Sequence, residues 1–237
     1  MKILLIFPTI FEAEALFKKS RRRAFLGARA QLDIGQVRIH AIVSGIGCGA
    51  SANRVRAFAE EVKPDMAILC GFCGACQESA KEGDVLFETK NGKLGAAFRE
   101  LGFAEGKIAC AKQVAGFGQK TELAGRGFAG VEMESDFFSG IFNAENFAHV
   151  RIVSDGVRSK IPAEFFDSML DRTTGASSFS PKKFFSMALK SPSLPINLAL
   201  FAFKAGKVKK LYDAAVMRMI EKISQIYLPI GGENEIL

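Results

Sequence analysis

Short apolar runs alternate with amphipathic stretches along most of the chain. Lys2–Phe7 is a continuous apolar run of strand length, and from Glu12 to about Lys19 the apolar Leu16 and Phe17 follow helical spacing. Arg38–Val43 reads as a second buried strand. Gly45-Ile46-Gly47-Cys48-Gly49 follows it, then a helix from Ala50 to about Val62 with Ala52, Val55, Phe58, Ala59 and Val62 on one face. Pro64-Asp65 ends that helix. Met66–Cys70 reads as the next strand, with Gly71 to Gly74 as its turn. Glu82-Gly83-Asp84 leads into a strand at Val85–Phe87, and Lys90-Asn91-Gly92-Lys93 predicts a hairpin turn. Phe128–Met133 is read as a strand, Ser135 to about Asn143 as a helix, and His149–Val153 as a strand ending at Ser154-Asp155-Gly156. From about Ala163 the pattern is helical, over Ala163–Leu170, Lys182–Leu189, Leu194–Phe203 and Lys207–Ile226.

Strand–helix alternation of this kind predicts the α/β class: one three-layer αβα domain over residues 1–237, built on a central mixed, mostly parallel twisted sheet. Residues from about 163 to 230 would add C-terminal helices to the same domain. Ligands of such sheets sit beyond the carboxyl ends of the strands. The unusual polar residues fall at those ends: Glu12, the Ser44 to Gly49 loop, the Gly71 to Gly74 segment, Glu132 with Glu134, and Asp155.

Composition narrows the chemistry. A chain of 237 residues with 49% apolar and 24% charged positions has ample core and is not a disordered one. Its formal charge, 32 − 25 = +7, speaks for solubility and steering of anions more than for fold. The aromatic content is 22 Phe, two Tyr and no Trp, and the Phe sit mostly among aliphatic residues, which reads as core and not as a nucleic-acid surface. The basic runs Lys18-Lys19-Ser20-Arg21-Arg22-Arg23 and Lys207 to Lys210 read as solvated helix ends; peripheral contact is the most a membrane could make with them. Two histidines, His40 and His149, exclude an HExxH helix, and both lie in apolar runs as core residues.

The five cysteines form no disulfide pattern. Cys70, Cys73 and Cys76 echo part of a ferredoxin run without its remaining C-x3-C-P, so small residues at a crowded strand end in a reducing cytosol are the expectation, with no metal or other cofactor. The N-terminal apolar run carries one lysine before it and Glu12 and Glu14 after it, which fits a first strand better than a signal peptide; a cytoplasmic chain is expected.

The individual motifs are open to two readings each. Gly45-x-Gly47-x-Gly49 is not the GxGxxG of dinucleotide binding, and glycines that let a helix pack closely fit better. Glu132 and Glu134 share one face of a strand end, where buried carboxylates either bind something or start a helix. Asp155 ends an apolar strand, where desolvation favours a protonated carboxyl that can donate, or where an Asx turn forms with Gly156. Glu12 follows the first strand as a base or as a helix-capping acid.

Taken in order, Glu12, Ser44-Gly45-Ile46-Gly47, Gly71-x-x-Gly74, Glu82-Gly83-Asp84, Val131-Glu132-Met133-Glu134 and Ser154-Asp155 resemble the nucleoside phosphorylase superfamily, over about residues 1–87 and 120–160. The pattern looks most like methylthioadenosine/S-adenosylhomocysteine nucleosidases. Phe184-x-x-Met187-Ala188-Leu189-Lys190-Ser191-Pro192-x-Leu194-Pro195 looks like the hopanoid-associated phosphorylase branch. The resemblance implies Glu12 as the base activating water, Asp155 as the acid protonating the purine, and Glu134, Met133 and Glu132 around the ribose. It implies Ser154, Phe72, Cys73 and Gly74 in the base pocket, no cofactor, and a homo-oligomer, a dimer first.

Two departures bear on the nucleophile. Phe72 stands where the family turn commonly has serine, and Leu69-Cys70 where phosphorolytic members place an arginine; a phosphate dianion needs such donors, so hydrolysis is favoured. The segment between Asp84 and Val131 is also shorter than usual. The expected function is N-glycosidic cleavage of a purine nucleoside, an adenosine derivative first. Phosphorolysis of the same class and a non-catalytic nucleoside-binding protein are the alternatives.

Overall fold

The computed structural model describes residues 1–159, 166, 169–177, 186 and 194–227. Its centre is a mixed sheet containing β1 (Lys2–Phe7), β2 (Arg29–Ile34), β3 (Val37–Val43), β4 (Met66–Ala75), β5 (Val85–Thr89), β6 (Ala104–Glu105), β7 (Lys107–Cys110), β8 (Phe128–Glu132) and β9 (Phe147–Asp155). Strand order is β2-β3-β1-β4-β9-β5-β6, with β8 joining the end of β4 and β7 beyond it. Most pairings are parallel; β2 with β3, β4 with β8 and β5 with β9 are antiparallel. Helices α1 (Ile10–Lys19), α2 (Gly49–Val62), α3 (Gly92–Glu100), α4 (Phe117–Gly125) and the short α5 (Ser135–Phe138) connect the strands. A long α6 (Leu194–Ile226) follows, after a small antiparallel pair, β10 (Leu170–Asp171) and β11 (Ala176–Ser177). The predicted mixed, mostly parallel α/β architecture is the one observed.

Apolar side chains cover both faces of the sheet. On one face Ile3, Leu5, Phe7 and Ile68 pack against α1, α3 and α6, whose Tyr212, Met219, Ile220 and Ile223 are fully buried. On the other, Leu4, Ile6, Ile42 and Leu69 meet Val55 and Phe58 of α2 and Phe138 of α5. Because side chains alternate along a strand, β1 supplies both cores from one six-residue run.

Several local expectations are corrected. Gly71 to Gly74 is not a turn: β4 runs unbroken to Ala75, with only a register shift against β9 at Cys73/Gly74. Lys90 to Lys93 is not a hairpin, because Asn91 caps α3, its side chain accepting from Leu94 N at 3.0 Å. The helix expected to reach Asn143 stops as α5 at Phe138. The two last predicted helices are one continuous α6; Gly206 within it costs about 1 kcal/mol, which the buried face offsets. Leu170 lies in β10 and not in a helix. The rest of the helix expected at Ala163–Leu170, apart from Phe166 and Met169, lies outside the described residues. So does Lys182–Leu189 apart from Ser186, and with it most of the Phe184-to-Pro195 motif. Among the described residues, no helix is long and apolar enough to cross a membrane.

Candidate active site

The chain leaves β1 through Pro8-Thr9, and Thr9 caps α1. Glu12 completes a capping box: Thr9 Oγ1 accepts from Glu12 N at 3.2 Å, and Glu12 Oε2 accepts from Thr9 N and Thr9 Oγ1, each at 2.7 Å. Its other oxygen, Oε1, accepts from Phe72 N on β4 at 2.9 Å. The capping reading of Glu12 is thus realised, and the same side chain also ties α1 to β4. Burial pushes the Glu12 carboxyl above its ordinary range, outweighing the lowering by Arg151 and by the hydrogen bonds from Thr9 and Phe72.

At the end of β8, Glu132 turns inward with no side-chain exposure. Its carboxylate accepts from Glu134 N at 3.0 Å and from Ser135 N at 3.1 Å, so it caps α5 in place of Glu134. Arg151, wholly buried on β9, pairs with Glu132 and reaches Glu134 Oε2 at 3.1 Å. This distinguishes the two acids. Burial raises the Glu132 carboxyl, but Arg151 and the hydrogen bonds from Ser135 and Glu134 bring it below its ordinary value. Glu134 stands well above, raised by burial and then by the charges of Glu132 and Glu12, against Arg151. One guanidinium faces three buried carboxylates, and its pairing does not offset burial at Glu134 and Glu12, which stay raised while Glu132 is lowered.

Gly71 is where these groups converge. It faces Arg151 across the β4–β9 register, and a Cβ there would run into Arg151 Nη1 and the Glu12 carboxylate. Arg151 Nη1 and Nε have no hydrogen-bond partner among the described residues.

Asp155 ends β9 opposite Gly74. Sequence reasoning put it in an apolar setting, but Lys120 of α4 contacts its Oδ2 and forms a buried ion pair. Lys120 Nζ also donates to Gly156 O at 3.0 Å. The Ser154 hydroxyl lies 2.7 Å from Asp155 Oδ1 and 3.1 Å from Cys73 O, tying the ends of β9 and β4 together.

Around these groups lies a cavity of about 710 Å³, large enough for a nucleoside-sized ligand. Glu12, Phe72, Cys73, Gly74, Glu132, Met133, Glu134, Ser154 and Asp155, all predicted from sequence, border it. Glu132 and Cys73 are nevertheless buried residues, and Glu132 meets chain donors through both oxygens. Lys120 and Arg151 were missed. No local signal marks them, since their partners lie 35 and 19 residues away in sequence. Phe72 presents an aromatic wall, its ring 5.0 Å from Tyr212 and 5.8 Å from Phe11. Leu69 and Cys70, where an anion-binding arginine was sought, are entirely inside the two cores.

Other sequence motifs have structural explanations. Gly45 adopts φ +89, and Gly47 leaves room for the Met133 carbonyl, so the GxGxG loop serves close packing. Cys70 and Cys73 are buried thiols pushed up by desolvation, and no metal-binding cluster of side chains occurs among the described residues. His40 and His149 lie in β3 and β9, edge-on to Phe58 and Phe147, and burial pushes His149 down to about 4.

No protein-family model matches the sequence, and no curated protein matches it. Solved structures do. The futalosine hydrolase of Helicobacter pylori strain 26695, as a mutant, superposes with a TM-score of 0.65 at 15% identity, over 94% of this chain and 99% of that one. The Streptococcus pneumoniae MTA/SAH nucleosidase in complex with 8-aminoadenine gives 0.58 at 23% identity, over 74% of this chain and 94% of that one. The Arabidopsis thaliana 5′-methylthioadenosine nucleosidase gives 0.63 at 14% identity, over 98% and 97%. The sheet order, the cavity at its strand ends and these superpositions together give the chain the same fold as these solved nucleosidases and futalosine hydrolase.

Proposed function

We propose that the chain is a nucleosidase that cleaves the N-glycosidic bond of a purine nucleoside, with water as the nucleophile. The observation that carries this reading is the convergence of Glu12, Glu134 and Asp155 on one cavity from the ends of three different strands. The structural neighbours act on methylthioadenosine, S-adenosylhomocysteine or futalosine, so a nucleoside with a 5′ substituent is the substrate class to try first.

Each acid has a task that suits its surroundings. Glu12, raised by burial, is a stronger base than an exposed carboxylate and takes a proton from water as oxygen attacks the sugar carbon. Glu134 receives the ribose hydroxyls, supported by Arg151 and by the Glu132 brace behind it. Met133 packs on the sugar, and Phe72 with Gly74 borders the base. Asp155 delivers a proton to the departing purine as the C1′–N9 bond breaks, so that the base leaves neutral.

Hydrolysis is favoured over phosphorolysis because the wall beside Glu12 is aromatic. Placing a phosphate dianion against Phe72 and Phe11 would remove its hydration without replacing the donors. The test is release of free base from a panel of nucleosides (methylthioadenosine, S-adenosylhomocysteine, futalosine, adenosine and inosine) by the purified chain. Release from at least one, strongly slowed in Asp155→Asn, is expected. No release from any of them would favour a binding protein that kept the fold.

A further inference from the structure

The strongest feature unclaimed by the proposed reaction is Lys120. An ammonium at 2% side-chain exposure is costly unless paired, and this one points into the cavity wall beside the proposed general acid. Gly74 makes the room: a Cβ there would come within 2.9 Å of Lys120 Cε and 3.0 Å of Asp155 Oδ2. The helix that delivers it, α4, is otherwise mostly exposed, with Leu123 as its other buried side chain.

The hydrogen-bond geometry sets what each partner can offer. An ammonium donates and never accepts, so Asp155 Oδ2 is an acceptor in its contact with Lys120. The other oxygen, Oδ1, is engaged by the Ser154 hydroxyl. With Lys120 as the ammonium, the pair carries its proton on nitrogen, while an acid that protonates a purine must carry it on oxygen. Two of the three Nζ hydrogens have partners among the described residues, Asp155 and Gly156 O.

We propose that Lys120 is a positioning residue that loads Asp155 with the proton passed to the leaving base. This rests on the nucleosidase reading above. As the C1′–N9 bond breaks, its electron pair goes to the purine. The proton moves from Lys120 Nζ to Asp155 Oδ2 and from there to N7, leaving a neutral lysine, an ionised Asp155 and a neutral base. Solvent reprotonates Lys120 after the base departs.

The test compares ordinary purine nucleosides with N7-methylated ones, whose base is already cationic and leaves without a proton. Lys120→Met is expected to lose about a hundredfold in kcat/KM on the ordinary substrate, at the lower end for general acid catalysis, and only a few-fold, ~3, on the methylated one. Lys120→Arg keeps the charge but holds its proton too tightly to give it up, so it should stay low on the ordinary substrate. Should Lys120→Met fold poorly around an unpaired Asp155, the Asp155→Asn/Lys120→Met double variant removes both charges. It is expected to be no slower than Asp155→Asn alone, since the two residues act as a unit.

Equal losses on both substrates, full recovery in Lys120→Arg, or additive losses in the double variant would overturn the inference while leaving the nucleosidase reading intact. If the wild-type chain releases base from neither substrate, that reading itself fails, and the inference falls with it.

Discussion

At the scale of single residues, the proposed chemistry rests on three buried carboxylates and one guanidinium. Glu134, raised by burial, stabilises the native state when protonated and loses that contribution as pH rises through its native value. Glu134→Gln is therefore expected to melt at or above the wild-type temperature near neutral pH, with the gap closing towards acid, where both side chains are uncharged. The same variant should lose a hundredfold or more in base release, a magnitude typical for removing charge stabilisation, ~10²–10³. Melting curves at two pH values with a base-release assay check both halves. Glu12 gives a second expectation. Because its carboxyl is raised, the acid limb of kcat/KM should lie above the ordinary carboxylate range, and activity should fall as pH drops through it. A pH profile whose acid limb stays near 4.5, the ordinary glutamate value, would remove Glu12 as the base. These acids were legible in the sequence because each is adjacent to a strand's apolar run. The electrostatic difference between them was not, since it depends on Arg151, which sits inside such a run as though it were core.

At the scale of elements, β4 organises the site. It pairs with β9 along most of its length, with β1 over Met66–Leu69 and with β8 at its end, so groups from several strands gather around its glycines. Reading Gly71 to Gly74 as a turn followed from the usual link between glycine and turns. The glycines are there because Arg151, Glu12, Lys120 and Asp155 approach the strand too closely for a Cβ. Gly71→Ala is expected to destabilise by about 1–3 kcal/mol, the usual cost of overpacking, and to lose activity. Gly92→Ala, at the start of α3 with open space around it, should leave both nearly unchanged. Chemical denaturation of the pair checks this. Asn91-Gly92 misled for a related reason: the same dipeptide suits a tight hairpin and a helix cap, and only the Leu94 amide it accepts from decides. The edge strand β2 escaped the pattern because half of its positions are polar and exposed.

At the scale of the whole molecule, α6 closes the core beneath the site. Its Tyr212 backs Phe72, so the aromatic wall beside Glu12 is supported from the far end of the chain. The alternation of strands and helices was enough to predict the α/β class, and the ends of those strands are where the cavity lies. What alternation cannot carry is the ion pair joining α4 to β9, because long-range pairing leaves no periodic trace. The account as a whole rests on water attacking the sugar next to that aromatic wall. Its most direct test is the sugar product formed by phosphate-free enzyme on a nucleoside that it cleaves, with phosphate then added. The account predicts the free sugar in both conditions, and loss of product in Glu12→Gln. A sugar 1-phosphate as sole product, formed only when phosphate is present, would contradict it.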